Sequence, residues 1–212
     1  MSILFTHDAD ASKKKDRDSY IECGLNRLKP HFINNALSTI YYLCDMEPKK
    51  AQSLTSSFSD YLLNVLEAMH GGELVPFAKE LEFTEAYLAL EEIRFEDRLS
   101  SDIDIDVTDF LVPPMSLQIP VEIAVKHGIS ESERSGTVRI LTRRLPDNKV
   151  KLSIIDDGVG FDNKDRDHPS YLELLEVSER IAKEAGGEMT IESSAENGTS
   201  VEIILTSIDK EN

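Results

Sequence analysis

Basic residues are scarce in this chain: 23 lysines and arginines stand against 40 aspartates and glutamates, for a formal net charge of -17 over 212 residues. Sequence-independent binding to nucleic acid or anionic lipid depends on cationic side chains meeting phosphates. Neither partner is expected, and a basic partner fits the electrostatics better. The single basic run, Lys13-Lys14-Lys15, reads as the solvated start of a helix. Cysteine is nearly absent as well. Cys23 and Cys44 provide neither a metal spacing nor a disulfide framework, which points to a reducing, cytoplasmic compartment and to core packing as the role of both. No apolar run approaches the roughly 20 residues of a membrane span, and Met1 to Asp10 lacks a cleavable signal pattern. Repeats and low-complexity tracts are missing too. A hydrophobic content of 40% is what a packed globular chain of one large or two small domains carries.

From Ser19 to about Asp45, apolar residues recur at Leu25, Leu28, Phe32, Ala36, Ile40 and Leu43, steps of three and four that place them on one helix face. Asp45-Met46-Glu47-Pro48 breaks the pattern, with proline suited to the first turn of the next helix. A second stripe runs through Thr55, Phe58, Leu62, Val65 and Met69 and stops at Gly71-Gly72. Two helices of matched length joined by a short turn form an antiparallel hairpin. Its stripes are covered either by self-association into a four-helix bundle or by the rest of the same chain. A long helical pattern follows from Phe77 to Leu99. Period-two runs then appear at Ile103 to Val107, Val138 to Ile140, Val150 to Ile154, Met189 to Ile191 and Val201 to Ile203. Helical segments at Met115 to Lys126 and Tyr171 to Ala185 interleave with them. The expected class is α+β, with a mixed sheet carrying helices on one face.

Several short motifs occur in a fixed order. They are Pro30-His31-Phe32-Ile33-Asn34-Asn35-Ala36-Leu37, then Tyr87 to Leu99 with Arg94, Phe95, Asp97 and Arg98, then Leu117-Gln118-Ile119-Pro120-Val121-Glu122-Ile123-Ala124-Val125-Lys126-His127-Gly128. Asp156-Asp157-Gly158-Val159-Gly160-Phe161 and Asn197-Gly198-Thr199-Ser200-Val201 complete the series. From about Leu25 to Leu205 the chain resembles the LytS-like sensor histidine kinases. The resemblance implies a dimeric helical hairpin at 19–72 that presents a phosphoacceptor histidine, after a fraying or disordered 1–18. It further implies a GHKL (Bergerat) ATPase-like α/β sandwich at 73–212 that includes the connecting helix 77–99. By the same resemblance His31 is the phosphoacceptor with Asn35 in support, and Asp156 is the aspartate that hydrogen-bonds the adenine amino group. Gly158 and Gly160 let the backbone turn tightly against nucleotide, while Glu122, Lys126, His127 and Thr199 fall at other positions of the ATP site. An imidazole nitrogen near neutral pH is a competent nucleophile toward a phosphoryl group. Outside this context, a histidine on an amphipathic helix is a surface or packing residue, and Asp-Asp-Gly-x-Gly is a turn after a strand.

The departures matter as much. The family's helix reads Leu-Gln-Pro-Leu-Val-Glu-Asn-Ala-Ile-Lys-His-Gly, and its asparagine holds the magnesium ion of ATP; here that residue is Ile123, which has no lone pair to offer a hard cation. The family's second glycine box, Gly-x-Gly-Leu-x-Asn-Val, is Tyr171-Leu172-Glu173-Leu174-Leu175-Glu176-Val177, with an anionic Glu173 where backbone N–H groups would approach phosphate. A carboxylate about 4 Å from a phosphate oxygen costs roughly 1 kcal/mol per charge pair in water and about 4 at a protein-surface dielectric. Asn34 stands in place of a usual phenylalanine, and Lys126 and His127 also suit a helix C-terminus beside Gly128. The ATP site is therefore expected to be vestigial, with no cofactor, no metal site, and Mg-ATP only in a working kinase. The expected function is two-component signalling by a pseudokinase-like histidine phosphotransfer protein that exchanges phosphoryl groups between His31 and the receiver-domain aspartates of response regulators. The expected assembly is a homodimer or a pair with a related kinase. A soluble histidine kinase with an altered ATP site and a non-phosphorylated interaction module remain as alternatives.

Overall fold

A computed structural model describes residues 30–68, 74–132, 134–162, 164–195 and 197–207. The chain divides into two compact units, Met1–Gly72 and Glu73–Asn212.

The first unit is a helical hairpin, α1 (Pro30–Met46) and α2 (Pro48–Ala68). Proline opens α2, where its missing N–H is not needed, and the turn closes through Glu47 N–H to Leu43 O at 2.8 Å and Ala51 N–H to Glu47 O at 3.0 Å. Ala36 and Leu43 of α1 are buried together with Ala51, Leu54, Phe58 and Tyr61 of α2. Phe32 joins this seam, its ring 4.9 Å from Tyr61 and 6.2 Å from Phe58. The α2 face differs from the expected one. Thr55 is exposed and Leu62 only half-buried, because two helical stripes that share Phe58 run along α2 and α1 selects the one offset by a single residue. Cys44 is also exposed, against its expected core role, since the seam takes the neighbouring Leu43. Leu37, Tyr41, Tyr42, Met46 and Leu63 are exposed as well, with Tyr41 79% accessible. Residues 1–18, Leu25, Leu28, Cys23, Met69 and Gly71-Gly72 lie outside the described residues.

The second unit opens with the two-residue strand β1 (Val75–Pro76), antiparallel to β3 (Leu111–Val112), and with α3 (Phe77–Phe95). The helix stops at Phe95, four residues earlier than its pattern suggested. A short 3₁₀ turn at Glu96–Arg98 follows, and Leu99 already pairs with Gly136 in the sheet. The main sheet has five strands in the order β2 (Leu99–Ile105), β4 (Gly136–Leu145), β5 (Lys149–Asp156), β7 (Thr199–Thr206), β6 (Glu188–Ser193). The β2 and β4 strands are parallel and the remaining neighbours antiparallel, so the sheet is mixed as expected.

Alternation decides what each face meets. Val138, Ile140, Leu152, Ile154, Val201 and Ile203 point to the buried side, where Leu117, Val121 and Val125 of the central helical segment and Leu174, Val177 and Ile181 of α5 (Pro169–Ala185) are equally buried. Each such aliphatic contributes about 1.5–3 kcal/mol by leaving water. The opposite face is laced with ion pairs: Arg139 with Asp102 at 3.7 Å, Lys151 with Glu202 at 2.8 Å, and Arg143 with Asp104. These exposed pairs contribute little to stability individually. They mark the polar side of a half-buried sheet.

Candidate functional site: a cavity between two helices and a glycine-rich turn

The segment after β3 turns sharply at Met115, whose φ is 65°, and enters α4 (Gln118–Ile123), which continues as a π-helical turn through Ala124–Ile129. Glu80 of α3 anchors this entry from below. It is 3% exposed and accepts hydrogen bonds from the backbone N–H groups of Met115 at 2.6 Å and Leu117 at 3.3 Å. Burial raises its pKa above the usual glutamate value, against the lowering effect of those backbone donors and of Arg180. No sequence signal singled out Glu80. Its role arises from a contact spanning more than thirty residues, and an acidic residue in the first turn of a helix is common in any case.

The turn after β5 is built around Asp156. Its Oδ1 accepts from Gly158 N–H at 2.9 Å, and Thr199 bonds it from the other side. Desolvation raises the pKa to about 6, opposed by the Gly158 and Thr199 bonds and increased slightly by the neighbouring charge of Asp157. The glycines here are geometric requirements. A Cβ on Gly158 would fall within the backbone of Gly128, and one on Gly128 would sit 2.6 Å from Asp156 Oδ1. Gly160 has φ +61° and would press a Cβ against the carbonyls of Ser194 and Gly198. Its neighbour Phe161 donates its N–H to Ser193 Oγ at 2.9 Å, and that hydroxyl pairs with Thr199 Oγ1 at 2.9 Å. The turn, the β6–β7 connection and the end of the π-helical segment are thus one interlocked unit.

Beside this unit lies a cavity of about 250 Å³ lined by Ile123, His127, Gly128, Glu131, Gly160, Phe161, His168, Pro169 and Thr199. Ligand pockets for drug-sized molecules span about 300–1,000 Å³, so this one is small for a whole nucleotide. Ile123 is 4% exposed and contributes only hydrocarbon to the wall. His127 Nδ1 lies 2.9 Å from Glu131 Oε1. His168 caps α5, its Nδ1 accepting from Ser170 N–H at 3.3 Å, and its ring stacks on Phe161 at 4.9 Å and 10°. Arg166 packs over the Tyr171 ring at 4.6 Å. The loop from Phe161 to Pro169 is therefore tied down at both ends.

Of the site residues expected from sequence, Ile123, His127, Gly160 and Thr199 line the cavity, and Asp156 and Gly158 stand directly behind it. Glu122 is half-buried and accepts from Gln118 Nε2 at 2.8 Å, and Lys126 is exposed; neither lines the cavity. Glu173 is half-buried one turn into α5, and the lining positions at that end belong to His168 and Pro169 instead. In the separate hairpin unit, His31 and Asn35 stand one turn apart near the start of α1, which places them on one helix face. The His31 side chain lies outside the described residues. Among the described residues, no group of three or more His, Cys, Asp or Glu could hold a metal ion, and no helix is long and apolar enough to cross a membrane. Ile123 gives the cavity wall hydrocarbon only, while Glu131, His127 and Thr199 are its polar lining residues.

Comparison with known proteins places this geometry. Residues 23–99 match the histidine kinase family model, and residues 116–208 match the model of histidine kinase-, DNA gyrase B- and HSP90-like ATPases. The uncharacterised protein YwpD of Bacillus subtilis is 31% identical over 211 residues, covering 96% of this chain and 74% of its own length. The sensor protein LytS of Oceanobacillus iheyensis is 31% identical over 159 residues, and the sensor histidine kinase YpdA of Escherichia coli is 31% identical over 162 residues. The chain spans only 27% of the length of each of these two. Among solved structures, the histidine kinase domain of the Erythrobacter litoralis EL346 blue-light activated histidine kinase aligns with a TM-score of 0.50 at 13% identity, covering 92% of this chain and 94% of that one. That likeness concerns the fold.

Proposed function

Because the chain belongs to the LytS-like histidine kinase family of two-component signalling proteins, we propose that it works as a histidine phosphotransfer protein whose ATPase-like unit has become a scaffold. His31 accepts a phosphoryl group from the phospho-aspartate of one receiver domain and returns it to another. In that step the lone pair of an imidazole nitrogen forms the P–N bond while the acyl-phosphate P–O bond breaks, leaving the aspartate as a carboxylate. The reverse step regenerates neutral histidine.

The observation that carries this reading is Ile123, buried in the wall of a cavity of about 250 Å³ at the position where the family's asparagine ligates magnesium. An aliphatic group gives a hard cation no oxygen. The exposed stripe Leu37, Tyr41, Tyr42, Met46 and Leu63 on the hairpin supports assembly as a homodimer through a four-helix bundle. One feature favours a second reading, a kinase that tolerates the altered site. Asp156 keeps its buried place and its Gly158 and Thr199 partners. Incubation of the full chain with labelled ATP, beside incubation with a phosphorylated receiver domain, separates the two. Label from the receiver alone supports phosphotransfer, and label from ATP alone makes the chain a kinase. Label from neither leaves the interaction module.

A further inference from the structure

The second unit holds a buried carboxylate seated in a backbone cradle, and the costs gathered around it point to a moving part. Pro113, Pro114 and Met115 bring the chain into α4, and Met115 takes φ 65°, the left-handed region that an L side chain avoids. The turn aims the N–H groups of Met115, Leu117 and Gln118 at one point, while Ser116 N–H is used locally on Pro113 O at 3.2 Å. Successive N–H groups arranged in this way form an anion-binding nest. The anion that fills it is internal. Glu80 reaches in from α3, its Oε1 2.6 Å from Met115 N and its Oε2 3.3 Å from Leu117 N.

Glu80 also supplies what the start of α4 lacks. Leu117 stands at the N-cap and offers no side-chain acceptor, so the entry to the helix draws its acceptor from α3, as a carboxylate whose charge suits a helix N-terminus. This arrangement is held against three costs: the left-handed backbone at Met115, the desolvation of a carboxylate that Arg180 of α5 offsets only in part, and the π-helical turn Ala124–Ile129 in the same segment. The π-helical turn carries His127 and Gly128 of the cavity wall, and Ile123 directly precedes it.

We propose that Glu80 is a latch between α3 and the cavity. Seated in the nest, it holds Met115 in its strained conformation and keeps α4 and the π-helical turn in the register that places Ile123 and His127 in the wall. Withdrawn by a shift of α3, it lets Met115 relax and the wall residues rearrange. Glu80 is thus a positioning residue that acts through α4, and the device operates whether or not the cavity takes a nucleotide.

The test uses the full chain carrying Glu80→Ala or Glu80→Gln, read by amide hydrogen exchange and by the magnetic resonance signals of the histidine rings. Glu80→Ala should speed exchange across residues 115–129 at least about tenfold more than across β4 and β5, because local opening is separable from global unfolding. The His127 ring signal should move, and that of His168, at the start of α5, should hold. Glu80→Gln keeps one acceptor oxygen and should fall between the parent and Glu80→Ala. A second comparison isolates the strain, with Met115→Gly set against Met115→Ala in urea unfolding. While Glu80 is present, the glycine variant should be the more stable by at least about threefold in the unfolding constant, since a left-handed backbone penalises alanine more than glycine's extra freedom costs. With Glu80→Gln or Glu80→Ala that advantage should shrink or reverse. Equal acceleration of residues 115–129 and of the sheet, or no acceleration, makes Glu80 a plain stability contact and overturns the latch. A glycine advantage that is the same with and without Glu80 overturns it too. Should Glu80→Ala not fold, Glu80→Gln decides both comparisons.

Discussion

Asp156→Asn is the substitution whose effect the structure specifies most fully. Burial lifts the pKa of Asp156 from the ordinary 3.8 to about 6, outweighing the hydrogen bonds from Gly158 and Thr199. A carboxyl group whose pKa is raised on folding favours the native state only while it is protonated. Its contribution is fully present below about pH 4 and is lost as pH rises through about 6. At about 1.36 kcal/mol per pH unit, holding Asp156 ionised in the native state at pH 7.5 costs about 3 kcal/mol. Asparagine is the same shape, its carbonyl oxygen can still accept from Gly158 N–H, and it carries no charge. The variant should therefore match the parent near pH 4 and exceed it by about 2–3 kcal/mol near pH 7.5, less whatever its amide group loses against Thr199. Urea unfolding of both proteins at half-unit steps between pH 4 and 8 measures this. The many other carboxylates titrate in both proteins, so the difference curve isolates Asp156. A flat difference across that range would refute the assignment of the strain to Asp156. The result bears on function because a buried charge at this expense is usual at binding sites rather than in inert scaffolds.

The remaining predictions address the other parts of the molecule. Ile123→Asn should strengthen Mg-ATP binding at least tenfold in calorimetric titration, about 1.4 kcal/mol, by restoring an oxygen ligand, whereas Glu173→Gly should add little because Glu173 does not line the cavity. Leu37→Asp with Tyr41→Asp should convert a dimer to a monomer in sedimentation while helix content persists, since both side chains are exposed on the hairpin and neither belongs to its internal seam. Gly160→Ala should lower stability by about 1–2 kcal/mol from backbone conformation alone, and by more from the clash with the Ser194 and Gly198 carbonyls; chemical denaturation reads it out.

The second unit was legible wherever a period was strong. Every expected strand is present, because alternating residues such as Val150, Leu152 and Ile154 bury one face of a sheet whose other face is charged. The α2 seam was misread by one residue because Leu54 and Thr55 belong to overlapping stripes, and only the partner helix decides between them. Ile123 and the turn from Asp156 to Gly160 were singled out in the sequence through the family resemblance, and the structure puts Ile123, Gly160 and Thr199 around one cavity. The cavity's far wall was not singled out. A proline at the first helical position, Pro169, with His168 before it was a readable start signal for α5, yet the stack of His168 on Phe161 and the anchoring of Met115 by Glu80 are tertiary contacts that leave no periodic trace. The place of Glu173, one turn inside α5 rather than on the cavity wall, follows from that same helix start.

The central claim is that His31 exchanges phosphoryl groups with a receiver aspartate while the ATPase-like unit takes no part in the chemistry. Its most direct measurement is transfer of label from a phosphorylated receiver domain to the full chain, run beside labelled ATP with magnesium. A phosphohistidine is acid-labile, so acid stability identifies the product. The account predicts acid-labile label from the receiver, none from ATP, and none in His31→Gln. Label from ATP, or equal labelling of His31→Gln, would contradict it.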